Sequence, residues 1–277
     1  MLLCKWRLIR NEYIDSNNLI SLFLLYQKCI KLSKPLNKKI KTSKKTKKSV
    51  EKSNKSKAKK ILKTPIKSSD PSFIIHYFEG NGRACIARAI LSSQNIDFKN
   101  HIISNEDWPD IKKSYLCEFG QLPVLQHNKK IYNQSISINI YLSKFFNISG
   151  KNIEEEYEIN NLFCTYEDLF SLTGKYAFCD NKNEKNKLKK EATEKYIIYL
   201  KQIEERYKKY GKGNFYLGNN FSAADIYVTV GLGNIADSLE INNSEKYAPN
   251  LFNLCNRIKS KELKKFYENY YFKHSMF

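Results

Sequence analysis

The stretch HYFEGNGRACIAR, residues 76–88, joins two segments of different periodicity. The residues FIIHYF, 73–78, form a short apolar and aromatic run of the kind found in buried strands. Over GRACIARAILSSQ, 82–94, the apolar residues instead recur at the spacing of a helix. The sequence therefore predicts a strand, a turn and a helix in succession.

The turn itself allows two interpretations. A dinucleotide-binding loop needs G-x-G-x-x-G or A between strand and helix, so that backbone N–H groups can approach a pyrophosphate. Gly80 and Gly82 fill the first two positions, but Cys85 occupies the third. In the alternative, Tyr77 and Arg83 carry the chemistry, and the motifs further along the chain favour it. The glycines then let the chain turn and leave room near a ligand.

Strand and helix patterns alternate along the chain up to about residue 150. Their order is βαβ followed by αββα, which predicts an α/β domain over residues 73–150. Beyond the first strand and helix, the predicted elements are a strand at 98–103, a short helix at 107–116, a hairpin at 122–132 and a helix at 135–146.

Helical patterns replace the strands in the rest of the sequence. Long ones cover residues 153–178 and 186–210. In SAAD, Asp225 is placed to accept from the backbone N–H of Ser222, the capping-box arrangement that begins a helix. The sequence therefore predicts an all-helical domain over residues 151–277.

The basic charge of the chain is concentrated in its first quarter. Residues 1–72 hold 20 Lys and Arg against 4 acidic residues, so most of the formal net charge of +20 of the whole chain lies in this segment. Such a segment buries too little apolar surface to offset its ordering entropy, so we expect a disordered extension. It is either a solvated extension or a tail that binds nucleic acid or another polyanion.

Several classes of protein are disfavoured by composition. The seven cysteines are dispersed without a CxxC pair, which is typical of reduced thiols in a cytoplasmic protein. The four histidines lie far apart, so no metal site is predicted. The longest apolar run, LISLFLLY at 19–26, is much shorter than the roughly 20 residues that cross a bilayer. We therefore expect no membrane-spanning helix.

Four motifs occur in a characteristic order, namely YFEGNGRACIAR, DWPDIKK, FGQLPVL and NQSISINIYL. Together with SAAD they resemble the sigma class of the glutathione transferases, a group that includes haematopoietic prostaglandin D synthase and lens crystallins. The resemblance extends from residue 73 to about residue 272. It implies a thioredoxin-like domain that binds glutathione, followed by an all-helical domain that forms most of the pocket for a small hydrophobic electrophile.

The resemblance also implies two catalytic residues. Tyr77 stands at the position of the family's tyrosine, whose phenol donates a hydrogen bond to the glutathione sulfur and favours the thiolate. Arg83 matches the arginine at the start of the first helix, where a fixed cation supports the tyrosine and the thiolate.

Five matched residues are implied to hold the glycine and cysteine parts of glutathione. Trp108 and Lys112 match residues at the glycine end, where an ammonium suits the terminal carboxylate. Gln121 stands where several relatives carry lysine, so weaker glutathione binding is expected. Leu122 and Pro123 match a pair joined by a cis peptide bond, which leaves the backbone of the first residue free to pair with the ligand.

Three further residues are implied to hold the γ-glutamyl part. Gln134 and Ser135 lie at a predicted helix N-terminus, whose free N–H groups suit a carboxylate; Ser135 is alternatively a plain N-cap. Asp168 matches an acid that reaches the amino group from the partner subunit, which implies a homodimer. The chain departs from the family pattern at Asn81, in place of an arginine, and at Cys85, in place of an acid.

The sequence thus predicts a cytoplasmic, homodimeric glutathione transferase that conjugates glutathione to small hydrophobic electrophiles. Two alternatives on the same fold stay open. One is a glutathione-dependent prostaglandin isomerase, and the other is a non-catalytic protein that binds glutathione or serves a structural role. A nucleic-acid-associated role would depend on residues 1–72.

Overall fold

Four short strands form a mixed sheet in the order β2-β1-β3-β4. They are β1 (Phe73–Tyr77), β2 (Lys99–Ile102), β3 (Val124–His127) and β4 (Lys130–Asn133). β2 runs parallel to β1, while β3 is antiparallel to both β1 and β4. A parallel pair needs a crossover, and helix α1 (Cys85–Ser93) supplies it, as the strand–turn–helix pattern predicts.

The computed structural model describes residues 72–272, all within the second of two compact units, Thr64–Phe277. The predictions for residues 1–72 therefore concern a segment that lies, apart from Ser72, outside the described residues. The described elements fall into an α/β part that ends at Phe145 and a helical part that begins at Ile153. No helix within 72–272 is both long and apolar enough to cross a membrane.

The hairpin and the short helix differ in detail from the sequence prediction. His127 ends strand β3, so the turn consists of Asn128 and Lys129, both with positive φ, as a two-residue type I′ turn requires. Helix α2 (Trp108–Ile111) is shorter than predicted. The Ser114 hydroxyl donates to the carbonyl oxygen of Ile111 at 2.7 Å, a local bond that competes with continuation of the helix.

Helix α3 (Ser135–Phe145) ends the α/β part, and within residues 72–272 it is followed by further α-helices and by no strand. They are α4 (Ile153–Ala177), α5 (Lys182–Tyr210), α6 (Ala223–Ile226), α7 (Leu232–Leu239), α8 (Pro249–Ser260) and α9 (Lys264–Asn269). A π-helical segment, Tyr227–Gly231, joins α6 directly to α7. α5 begins four residues earlier than predicted because the Asn181 side chain accepts from the N–H of Glu184 and caps it.

The predicted capping box is present at the start of α6. The Asp225 carboxylate accepts from the backbone N–H of Ser222 at 2.8 Å and from that of Tyr216, also at 2.8 Å. Burial raises the pKa of Asp225 to about 6, while these hydrogen bonds act to lower it. One acid therefore fixes both the helix start and the loop before it.

Helix α1 lies at the centre of the fold. Eight of its nine residues are buried, and it packs against α3, α9 and the π-helical segment. Small residues of this helix such as Ala87 and Ala89, both buried, let the neighbouring backbones approach. The turn between β1 and α1 is consequently held between the sheet and the helical part.

Candidate active site

The turn after β1 is built around Tyr77. Gly82 has a φ of +42°, and a Cβ at this position would lie 2.2 Å from the Tyr77 hydroxyl oxygen. That distance is impossible for two unbonded heavy atoms, so a side chain at Gly82 would displace the tyrosine. The space that Gly82 leaves is thus occupied by Tyr77.

The Tyr77 hydroxyl is buried and has one hydrogen-bond partner among residues 72–272. Its oxygen accepts from the backbone N–H of Arg83 at 3.0 Å, and no described residue accepts its hydrogen. Burial raises the pKa of Tyr77 above its usual value, while the Arg83 N–H and the charges of Arg83 and Arg88 act in the opposite direction. At neutral pH the group is therefore a phenol with a free hydrogen to donate.

The Arg83 guanidinium points to helix α4 instead of the phenol. Its Nε lies 3.0 Å from each carboxylate oxygen of Glu167, and its plane covers the Phe170 ring at 4.4 Å from the centroid. Burial lowers the pKa of Arg83, but Glu167, with smaller contributions from Tyr77 and Tyr166, raises it, and the net pKa is raised. Glu167 was not predicted as a site residue, although it directly precedes the predicted Asp168.

A cavity of about 750 Å³ opens beside this turn. Seven of the ten predicted site residues line it, together with the unpredicted Glu167: Arg83, Trp108, Gln121, Leu122, Pro123, Gln134 and Ser135. The other three, Tyr77, Lys112 and Asp168, are not part of its lining. Tyr77 is nevertheless linked to it through the hydrogen bond from Arg83.

Trp108 lines the cavity, and Lys112 lies next to it, outside the lining. The Lys112 ammonium is 5.9 Å from the centroid of the Trp108 ring, and its methylene groups lie against Gly120. The Trp108 ring is held edge-on to Phe78, with 5.2 Å between ring centroids. Lys112 is exposed, and its ammonium can bind a carboxylate.

The Leu122–Pro123 peptide bond is cis, as the resemblance implied. Both residues line the cavity just before β3. The Gln134 amide donates to the Gln121 side-chain oxygen at 3.3 Å, and both residues line the cavity. Two glutamines from different segments thus form a neutral polar edge.

The N-terminus of helix α3 points into the same cavity. The N-cap residue is Gln134, with a φ of +71°, and Ser135 is the first helical residue, so the plain N-cap interpretation of Ser135 is wrong. The first N–H that bonds back along the helix is that of Ile138, to the oxygen of Gln134 at 2.9 Å. The N–H groups of residues 135–137 precede it and remain available, at the positive end of the helix dipole, for an anion.

Asp168 lies on an exposed face of α4, outside the cavity. Its carboxylate accepts from the Tyr199 hydroxyl at 3.1 Å and lies 4.0 Å from the Lys195 ammonium. A single chain therefore does not bring Asp168 together with the other predicted residues. Within residues 72–272, no group of three potential metal ligands is close enough to hold an ion.

Comparison with known proteins places these features in a family. Residues 167–269 match the family profile described as Glutathione S-transferase, C-terminal domain. The protein named "Putative glutathione S-transferase alpha-2" of Dictyostelium discoideum is 32% identical over 209 residues, which cover 73% of this chain and 90% of that protein. The chain belongs to the glutathione S-transferase family.

Two further proteins are also similar to this chain. Human haematopoietic prostaglandin D synthase is 28% identical over 158 residues, covering 57% of this chain and 76% of that protein. A crystal structure of a glutathione S-transferase from Caenorhabditis elegans superposes with a TM-score of 0.61 at 26% identity, covering 72% of this chain and 97% of that one. The predicted fold class is confirmed: an α/β, thioredoxin-like part is followed by the all-helical part of the glutathione S-transferases.

Proposed function

We propose that this chain conjugates reduced glutathione to small hydrophobic electrophiles, with Tyr77 holding the reactive thiolate. The observation that carries the proposal is the hydrogen bonding of the Tyr77 hydroxyl. Its oxygen accepts from Arg83, and its hydrogen has no acceptor within residues 72–272. A phenol in this state donates to a sulfur anion and lowers the pKa of the thiol.

The cavity beside Tyr77 has donors suited to both ends of glutathione. Lys112 and Trp108 would receive the glycine carboxylate, and the N-terminus of α3 at Gln134 and Ser135 would receive the γ-glutamyl carboxylate. The backbone of Leu122 would pair with the peptide between them. The thiolate then attacks the electrophilic carbon, a C–S bond forms, and the leaving group departs with its electron pair.

A substitution of one oxygen atom tests this proposal. Tyr77→Phe should retain glutathione binding in calorimetry but lose about 10²-fold in turnover of a chromogenic aryl halide, because one donor to a developing charge is removed. Tyr115→Phe, at a tyrosine that is 88% exposed, is the matched control and should behave as the wild type. Unchanged turnover of Tyr77→Phe would refute the role of Tyr77.

We further propose that the site is completed in a homodimer, where Asp168 binds the amino group of glutathione held by the other subunit. Its exposure supports this, because the carboxylate is accessible to a second chain. Asp168→Asn should raise the KM for glutathione while leaving the mass in light scattering that of a dimer. A monomeric wild type, or an unchanged KM, would contradict the proposal.

The class and the substrate are the finer part of the proposal. We infer a sigma-like class, and the similarity to a prostaglandin D synthase keeps glutathione-dependent prostaglandin isomerisation as a second candidate. An isomerase assay with and without glutathione distinguishes it from conjugation. Retention on immobilised glutathione without turnover of either substrate type would instead favour a non-catalytic role.

A further inference from the structure

The peptide group between Gly82 and Arg83 contacts two tyrosine hydroxyls, one at each end. Its N–H donates to the Tyr77 hydroxyl at 3.0 Å, and its carbonyl oxygen accepts from the Tyr166 hydroxyl at 3.1 Å. The carbonyl also accepts from the backbone N–H of Cys85, so both of its lone pairs are used. Because a peptide group is planar, a contact that orients the carbonyl also orients the N–H.

Tyr166 lies on α4, and its hydroxyl is enclosed by polar atoms. The side-chain amide of Asn234 donates to it at 3.3 Å, and the Cys85 sulfur lies 3.4 Å away. Burial raises the pKa of Cys85 to about 11, so Cys85 is a neutral thiol that can donate to the hydroxyl. The Gly82 carbonyl can only accept, and the single hydrogen of Tyr166 is therefore directed to it.

We propose that Tyr166 is a positioning residue for glutathione activation, which acts on Tyr77 through the peptide group between Gly82 and Arg83. This inference rests on the proposed function of Tyr77. Tyr166 holds the peptide plane so that the N–H points at the phenol oxygen. It also polarises the peptide, since hydrogen bonds in a chain strengthen one another by roughly 10–30% each.

The consequence concerns the acidity of the bound thiol. A phenol whose oxygen accepts a stronger hydrogen bond becomes a better donor, so Tyr77 stabilises the thiolate more. Cys85 and Asn234 gain a role from the same arrangement. Asn234 donates to Tyr166, and the neutral Cys85 thiol is placed to do the same, which leaves the Tyr166 hydrogen for the Gly82 carbonyl.

Removal of the Tyr166 hydroxyl tests the inference. We expect Tyr166→Phe to raise the pKa of the thiol of enzyme-bound glutathione by about 0.5 unit. The ultraviolet absorbance of the thiolate measures this pKa. The kcat/KM for the electrophile, measured at saturating glutathione, should fall about threefold at neutral pH. At high pH it should approach that of the wild type, because the bound thiol is then ionised in both proteins. A merely structural role would not make the loss depend on pH in this way.

A neighbouring tyrosine provides the matched control. Tyr227 is fully buried, its ring centroid lies 6.0 Å from that of Tyr166, and its hydroxyl has no hydrogen-bond partner within residues 72–272. Tyr227→Phe therefore makes the same chemical change in the same core without touching the peptide group. The pKa of the thiol of glutathione bound to Tyr227→Phe should equal that of glutathione bound to the wild type.

The Tyr77→Phe variant separates failure of this inference from failure of the proposed function. An unchanged thiol pKa in Tyr77→Phe would overturn both. A raised pKa in Tyr77→Phe but not in Tyr166→Phe would overturn only the role of Tyr166. If Tyr166→Phe does not fold, Asn234→Leu removes a donor to Tyr166 and should raise the thiol pKa in the same direction; no rise would overturn the inference.

Discussion

Gly82→Ala is expected to damage both the stability and the chemistry of the protein. The added Cβ would lie 2.2 Å from the hydroxyl oxygen of Tyr77 and 2.7 Å from the ring carbon that carries it. Tyr77 is only 6% exposed, so its ring is packed by its neighbours on most sides. The overlap therefore has to be relieved by movement of the tyrosine or of the turn.

The expected magnitude has two parts. A non-glycine residue at a φ of +42° costs about 1 kcal/mol. Forcing an additional carbon into a packed region costs about 1–3 kcal/mol. We therefore expect the free energy of unfolding to fall by about 2–4 kcal/mol. Displacement of the phenol by about 1 Å should lower kcat/KM on the order of 10²-fold.

Chemical denaturation and conjugation kinetics of the same samples measure the two effects. Gly218→Ala is the control, because Gly218 also has a positive φ, of +105°, but no atom lies within 4 Å of the added Cβ. It should lose stability through backbone strain alone and retain wild-type kcat/KM. A Gly82→Ala protein that matched the Gly218→Ala protein in both measurements would refute the steric argument.

Two further predictions concern stability. Asp225→Ala leaves the buried backbone N–H groups of Tyr216 and Ser222 without their acceptor. It should therefore lower the free energy of unfolding, measured by chemical denaturation, by about 2–4 kcal/mol. Asp225→Asn keeps one oxygen and should lose less stability in the same assay. Burial and the charge of His101 lower the pKa of His76 to about 4, whereas its pKa in the unfolded chain is about 6.5. The contribution of neutral His76 to stability is therefore present above pH 6.5 and is lost as the pH falls through 4. A His76→Gln protein with the same slope of stability against pH would contradict this.

Much of the local structure could be predicted from the sequence because it depends on near neighbours. The strand that ends at Tyr77, the helix after Gly82 and the capping acid Asp225 were all recognisable from spacing and residue type. The cis bond before Pro123 followed from the family resemblance. The predicted end of helix α2 was wrong because a single side chain determines it. The Ser114 hydroxyl donates to the carbonyl oxygen of Ile111, the last residue of that helix.

The sequence by itself determined the order of the elements and the residue types that make thiolate chemistry feasible, because periodicity, turn residues and motif order are properties of the chain. Only the tertiary structure decided what those residues contact. The pairing of Arg83 with Glu167, and the hydrogen bond from Tyr166 to Gly82, each join positions 84 residues apart. Such contacts depend on how α4 is rotated against the turn, and helical spacing alone leaves that rotation undetermined.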